Sequence, residues 1–234
     1  MSGKTMAVKR MTWGDHSLVS LYGEGSPGRD PADQMADVFA ELDRELRALG
    51  LSLDNGVRQR IWTSSRETRE ASNDMRAQLI TGNRRCATSS FISRDVIASG
   101  GDVAVEMIAQ FPAAVPERRL VDFTPPRRYA RYLVQDGLMF VSGMAEPGAT
   151  MEAQFAKAMG EIAVAMRMES VTWENVFSAQ LFIERGDTDP IWLLNRFRQV
   201  VSGYLPHFDC EEVDGLASPD KHLEIEITAT LSGG

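Results

Sequence analysis

Three groups of residues carry the chemistry open to this chain. The first is "FVSG", where an apolar run stops on Ser142 and Gly143 shortly before an amphipathic segment bearing Gln154. Gly143 either lets the chain turn or lines a pocket that needs bare backbone. The second is "NRRCATSSF", which sets Arg84, Arg85 and Cys86 just ahead of the hydroxyls of Thr88, Ser89 and Ser90. Those hydroxyls can hydrogen-bond a polar ligand or simply form an edge strand of small residues, and the two arginines can be solvated charges at a loop end. The third is a set of acids on alternating segments, Glu106 in "VAVEMIA" and Glu224 and Glu226 in "HLEIEITATL". A solvent-facing stripe explains them, and so does a carboxyl that positions water as general acid or base.

Other constellations carry less. Cys86 and Cys210 read as small buried hydrophobes more readily than as nucleophiles. His207 and His222 lack partners at metal-ligand spacing, so no metal is expected. "ASGGD" lacks the lysine and following helix of a phosphate loop. The formal net charge of −8 over 234 residues argues against a nucleic-acid partner. Apolar runs are too short to span a bilayer, and "MSGKTMAVKRMTW" has no apolar core of signal-peptide length. A cytoplasmic protein with no membrane partner is expected.

The elements that must position these residues come twice. Gly23, Gln34, Leu42 and Trp62 recur 120 residues later as Gly143, Gln154, Ile162 and Phe182, and Asn73 returns with a slip of two as Asn195. The spacing predicts an α+β fold of two similar domains, 1–113 and 127–234, with a proline-punctuated linker at 114–126. Each copy reads strand, strand, helix, strand, helix, strand, strand, with two helices on one face of a mixed sheet. In the second copy "RYARYLV" and "LMFVSG" flank an Asp-Gly turn. Thr150 caps one helix, and Asp189 with Pro190 starts another in "DPIWLLNRFRQVVSGY". In the first copy a helix from Pro31 to Leu49 ends at Gly50, followed by a strand at "VRQRIWTS" and a helix at "REASNDMRAQLIT".

With Tyr129 thirteen residues before Ser142, then "SGM", Gln154, Asn195 in "LLNRF", "PHFDC" and the closing "LEIEITA", residues 126–231 resemble the RidA/YjgF family of enamine/imine deaminases. The first copy is similar in layout but degenerate: Tyr22-Gly23 replaces Ser-Gly and Lys9 stands at the tyrosine position, while Asn73, Arg84-Arg85-Cys86 and Glu106 remain. The resemblance implies a chorismate-mutase-like α+β fold, trimeric rings with ligand pockets between subunits, and water attack on imines without metal or organic cofactor. In that family an arginine two residues before the cysteine holds the substrate carboxylate, a task suited to a planar bidentate fork. Phe208 occupies that position in the second copy. In the first, Arg84 keeps the Arg-x-Cys spacing, whereas another alignment puts Thr88 there; the spacing favours Arg84.

The resemblance thus implies a divergent enzyme hydrolysing or deaminating a small carboxylated imine, enamine or related intermediate, or alternatively a binding or scaffolding member. Arg84 would hold the carboxylate and Glu106 would position water. Gly23, Asn73, Arg85, Cys86, Thr88, Ser89 and Ser90 would line one pocket, and Tyr129, Ser142, Gly143, Asn195, Cys210 and Glu224 the other. Chorismate-cleaving relatives, with doubled RidA-like domains, are a precedent for drifted chemistry. Since one chain supplies two units of a three-membered ring, parity suggests a homotrimer with first copies in one ring and second copies in another.

Overall fold

In a computed structural model, residues 4–13, 15–114, 116–186, 189–201 and 207–231 are described. The first half runs β1 (Lys4–Trp13), β2 (His16–Glu24), α1 (Pro31–Ala48), β3 (Gly56–Thr63), α2 (Arg66–Leu79), β4 (Ala87–Ile92) and β5 (Val103–Gln110). The second half runs β6 (Arg118–Val121), β7 (Tyr132–Gln135), β8 (Leu138–Val141), α3 (Met151–Met168), β9 (Val176–Glu184), α4 (Pro190–Val200), β10 (His207–Val213), β11 (Gly215–Leu216) and β12 (Leu223–Thr230).

Local sequence accounts for these elements. Asp30 caps α1 through Ala32 N with Pro31 in the first turn, and Gly50 leaves the helix at φ +77°. Thr150 caps α3 through Ala153 N, and Asp189 caps α4 through Ile191 N ahead of Pro190. The end of the "RQVVSGY" helix, Ser202 to Tyr204, and the Pro206 of "PHFDC" lie outside the described residues.

The two halves share one topology. Six-stranded sheets are ordered β1-β2-β5-β3-β4-β11 and β6-β7-β8-β12-β9-β10, each mixing antiparallel pairs with one parallel pair, β3–β4 or β9–β10. The first residues of α1 and α3, of β3 and β9, and of β5 and β12 all differ by 120. The repeated glutamines do the same job in both halves. Gln34 accepts from Asp102 N and donates to Arg29 O, while Gln154 accepts from His222 N and donates to Gly148 O. Each ties a helix start to the loop entering the central strand, which satisfies its buried amide.

Two elements depart from expectation. β6 lies inside the interval read as a linker and pairs with β7, so that stretch adds an edge strand. β11 leaves the second half and pairs with β4 of the first. The strand expected at "RYARYLV" is also shorter, because Arg128 to Arg131 precede β7 as irregular chain.

Helices cover the front of each sheet, over cores such as Met35, Phe39, Leu42 and Leu46 in the first half and Phe155, Ile162, Leu193 and Phe197 in the second. The back faces pack against each other. Leu18, Val57 and Ile108 meet Leu133, Leu138 and Phe140, and Phe91 stacks on Phe182 with ring centroids 4.0 Å apart. Burial of large apolar side chains at about 25 cal/mol per Å² makes this seam a major source of cohesion. One arginine crosses it fully buried: Arg58 of β3 donates to Thr228 Oγ1 (2.9 Å), Val141 O (2.8 Å) and Ile227 O (2.8 Å) of the second half.

Candidate functional site

At one end of the seam a cavity of about 280 Å³ opens between the halves. The first half contributes α2, through Arg69, Asn73 and Arg76, and β4, through Thr88, Ser89 and Ser90. The second half contributes Tyr129, Gly143, Lys221 and Glu224. Backbone geometry joins the two sides: Gly143 N donates to Thr88 O (3.2 Å), and Thr88 N donates to Ser142 Oγ (3.0 Å).

Gly143 is required by close approach. A Cβ there would lie 1.7 Å from Glu224 Oε1 and 2.5 Å from Ser89 Oγ, and both atoms belong to the buried floor of the cavity. Bare backbone is what lets β4 and Glu224 meet at this point. Ser142 itself is fully buried and spends its hydroxyl on Thr88 N, so it braces the site from behind.

Glu224 is 4% exposed, and its carboxyl is pushed up to about 8, first by burial and then by the nearby charge of Glu226. It is therefore neutral at physiological pH and able to give a proton. Opposite it stand cations. Arg76, 5% exposed, donates through Nε to Asn73 Oδ1 (3.1 Å), and Arg69 donates through Nε to Ser90 Oγ (3.0 Å). Neither guanidinium forms a salt bridge among the described residues, and burial lowers both from the usual arginine range. Arg127 is paired with Glu146 (2.9 Å), Arg128 with Asp74 (2.6 Å), and Lys221 Nζ donates to Ala145 O (2.6 Å). A buried guanidinium with unused donors is costly alone, and a ligand carboxylate or phosphate offsets that cost.

Of the residues expected from sequence, the cavity brings together Asn73, Thr88, Ser89, Ser90, Tyr129, Gly143 and Glu224. The others lie elsewhere. Arg84 has a 42% exposed side chain 3.6 Å from Asp54, and Arg85 pairs with Asp122 at 2.6 Å. Cys86 is buried in the seam and its thiol is pushed up to about 11 by burial, while Cys210 packs toward the second core and is pushed up to about 12 by burial and by Asp209. Neither is a thiolate nucleophile. Gly23 faces α1, where a Cβ would lie 3.2 Å from Val38, and Asn195 is exposed on α4. Glu106 is bound to Arg60 (2.8 Å) and Ser20 (2.7 Å), away from the cavity.

The strand register corrects the choice of Arg84. Gln59 of β3 pairs with Thr88, and Ala179, its counterpart in β9, pairs with Phe208. Thr88 therefore stands where Phe208 does, and Ser90 rather than Cys86 matches Cys210. The two cysteines share a spacing to basic or aromatic residues but not a place in the fold. Within one chain, residues of both halves line this cavity.

Sequence reasoning missed five cations that line the cavity, Arg69, Arg76, Arg127, Arg128 and Lys221. Arg69, Asn73 and Arg76 are spaced four and three apart, which places them on one helix face. That pattern was legible in "RETREASNDMR", but nothing local says the face looks onto a cavity.

No family model and no curated protein matches the chain. Among solved structures, a chorismatase crystal structure matches at a TM-score of 0.66 and 16% identity, covering 95% of this chain and 80% of that one. A YjgF-family protein from Neisseria meningitidis matches at 0.45 and 28%, covering 50% of this chain and 98% of its own. A related family member from Mycobacterium tuberculosis matches at 0.42 and 23%, over 49% and 99%. The chain has the two-domain α+β fold seen in chorismatase. Among the described residues no helix is long and apolar enough to cross a membrane.

Proposed function

We propose that the cavity between the halves binds a small carboxylated metabolite and hydrolyses it by proton donation from Glu224. The observation that carries this reading is a buried carboxyl held protonated in a cavity it shares with two arginines that, among the described residues, have no carboxylate partner. Arg69 and Arg76 would hold the substrate carboxylate, with Ser90 and Asn73 fixing their Nε ends. Glu224 would protonate the unsaturated carbon of an enamine, or the nitrogen of an imine. Water then adds to the cationic carbon, and loss of ammonia leaves an oxo acid while the proton shed by water returns to Glu224. An enol ether follows the same course with an alcohol leaving, so chorismate, the substrate named by the chorismatase likeness, belongs among the compounds to test.

A binding role without turnover is the second reading. It is favoured by Thr88 at the position where the resemblance implies an arginine.

Imines generated from several amino acids by an oxidase, and chorismate separately, would be incubated with the protein while ammonia or released product is followed. Acceleration abolished by Glu224→Gln supports the hydrolase. Saturable ligand binding without acceleration for any substrate supports the binding role.

A further inference from the structure

Behind the cavity floor, Glu224 and Glu226 sit two residues apart on β12 and so share one side of the strand. Glu226 is fully buried, and its Oε2 accepts from Arg60 Nε (3.0 Å) and Arg60 Nη2 (2.9 Å), with Arg58 Nε 3.5 Å away. Three buried oxygens here have no hydrogen-bond partner among the described residues: Glu224 Oε1, Ser89 Oγ and Glu226 Oε1. Ser89 Oγ reaches toward both carboxyls without completing a bond to either. A carboxylate with no solvent around it stays ionised only when cations hold it, and two arginines do so here.

We propose that Glu226 is a positioning residue for Glu224: held as a carboxylate by Arg58 and Arg60 of the first half, it sets a fixed negative charge across Ser89 that keeps Glu224 protonated. The proton donor of the second half is thus tuned by arginines of the first. The inference rests on Glu224 being the proton donor of the proposed reaction. Other charges act on the pair from every side. Lys221 and Arg69 favour ionised Glu224, and Tyr129 lies against it. Glu106 shares Arg60, and Glu211 of β10 faces the same cluster. Burial and Glu226 outweigh Lys221 and Arg69.

The test is titration of the Glu224 carboxyl in the ligand-free full chain, by carbon NMR of labelled glutamate assigned with Glu224→Gln. The wild-type midpoint is expected near 8. Glu226→Gln should lower it by about one pH unit or more, the scale of a close charge. Glu106→Gln, which removes the other carboxylate on Arg60, should move it by much less. An unchanged midpoint in Glu226→Gln, or an equal shift in Glu106→Gln, overturns the proposal. Should Glu226→Gln not fold, Glu226→Met, a neutral residue of similar size, takes its place, with the same fall in the midpoint expected and an unchanged midpoint overturning the proposal. Since titration needs no substrate, absence of turnover with the expected titration defeats only the functional reading.

Discussion

Gly143 and Glu224 come so close that a methyl group on the glycine would lie 1.7 Å from Oε1 and 2.3 Å from Cδ of the carboxyl. The glycine lies two residues after β8 and the glutamate is the second residue of β12, so their contact sets where the proposed proton donor stands relative to β4. Gly143→Ala should displace Glu224 and Ser89 while leaving the helical cores untouched. Ligand binding measured by calorimetry should fall at least tenfold, with a Tm loss of a few degrees, equivalent to about 1–2 kcal/mol at roughly 2–4 °C per kcal/mol. Wild-type affinity in Gly143→Ala would mean that the ligand sits elsewhere.

Glu224 makes stability depend on pH in a defined sense. Its folded value of about 8 lies above the roughly 4.3 of an unfolded glutamate, so the folded state binds the proton more tightly. The contribution is fully present below the unfolded value and is lost as pH rises through about 8. Glu224→Gln should therefore be inactive yet melt higher than wild type at pH 9, and the gap should shrink at pH 5. Equal melting temperatures at pH 9 would show that the carboxyl is not held protonated. The activity of the wild type should fall on a basic limb near pH 8.

Arginine substitutions separate the observed cavity from the spacing-based choice. Arg76→Ala and Arg69→Ala should each weaken binding of a carboxylate ligand by about 1.5–3 kcal/mol, the usual scale of a hydrogen bond to a charged group. Arg84→Ala, whose side chain pairs only at the surface with Asp54, should change affinity and stability by less than about 0.5 kcal/mol. The reverse order, measured by calorimetry, would return the carboxylate to Arg84.

Arg58 ties the halves together through three hydrogen bonds, and burial brings it down to about 10 even with Glu226 beside it. Arg58→Met should cost about 3 kcal/mol in urea unfolding, because it strands the Thr228, Val141 and Ile227 acceptors and removes one of the cations on Glu226. A loss under about 1 kcal/mol would mean that the apolar seam alone holds the halves.

A cavity built from one chain should bind independently of protein concentration. Ligand affinity measured across a hundredfold dilution is expected to stay constant. A steep loss on dilution would show that a second chain completes the site.

Much of the fold was legible locally. Caps at Thr150 and Asp189, the exit at Gly50 and the alternation in "LEIEITA" each depend on a few neighbouring residues, and helices and strands appear where they point. The doubling was legible too, because the same core positions and the same glutamine clamp recur at a fixed offset. Glu224, Gly143, Asn73 and the three hydroxyls of β4 could be named as candidates because their types suit the chemistry.

Only tertiary structure decided which of them meet. The cavity combines residues 69–90 with residues 127–224, and no short-range pattern links those stretches. Their meeting follows from two apolar sheet backs leaving water against each other, with Phe91 on Phe182 at the centre. The strand register likewise gave the arginine position to Thr88 rather than Arg84, since pairing with β3 counts residues along the strand and ignores the cysteine spacing. Sequence fixes which groups exist and which face of an element they occupy; long-range packing determines whether a guanidinium faces bulk water, as Arg84 does, or lines a cavity, as Arg76 does.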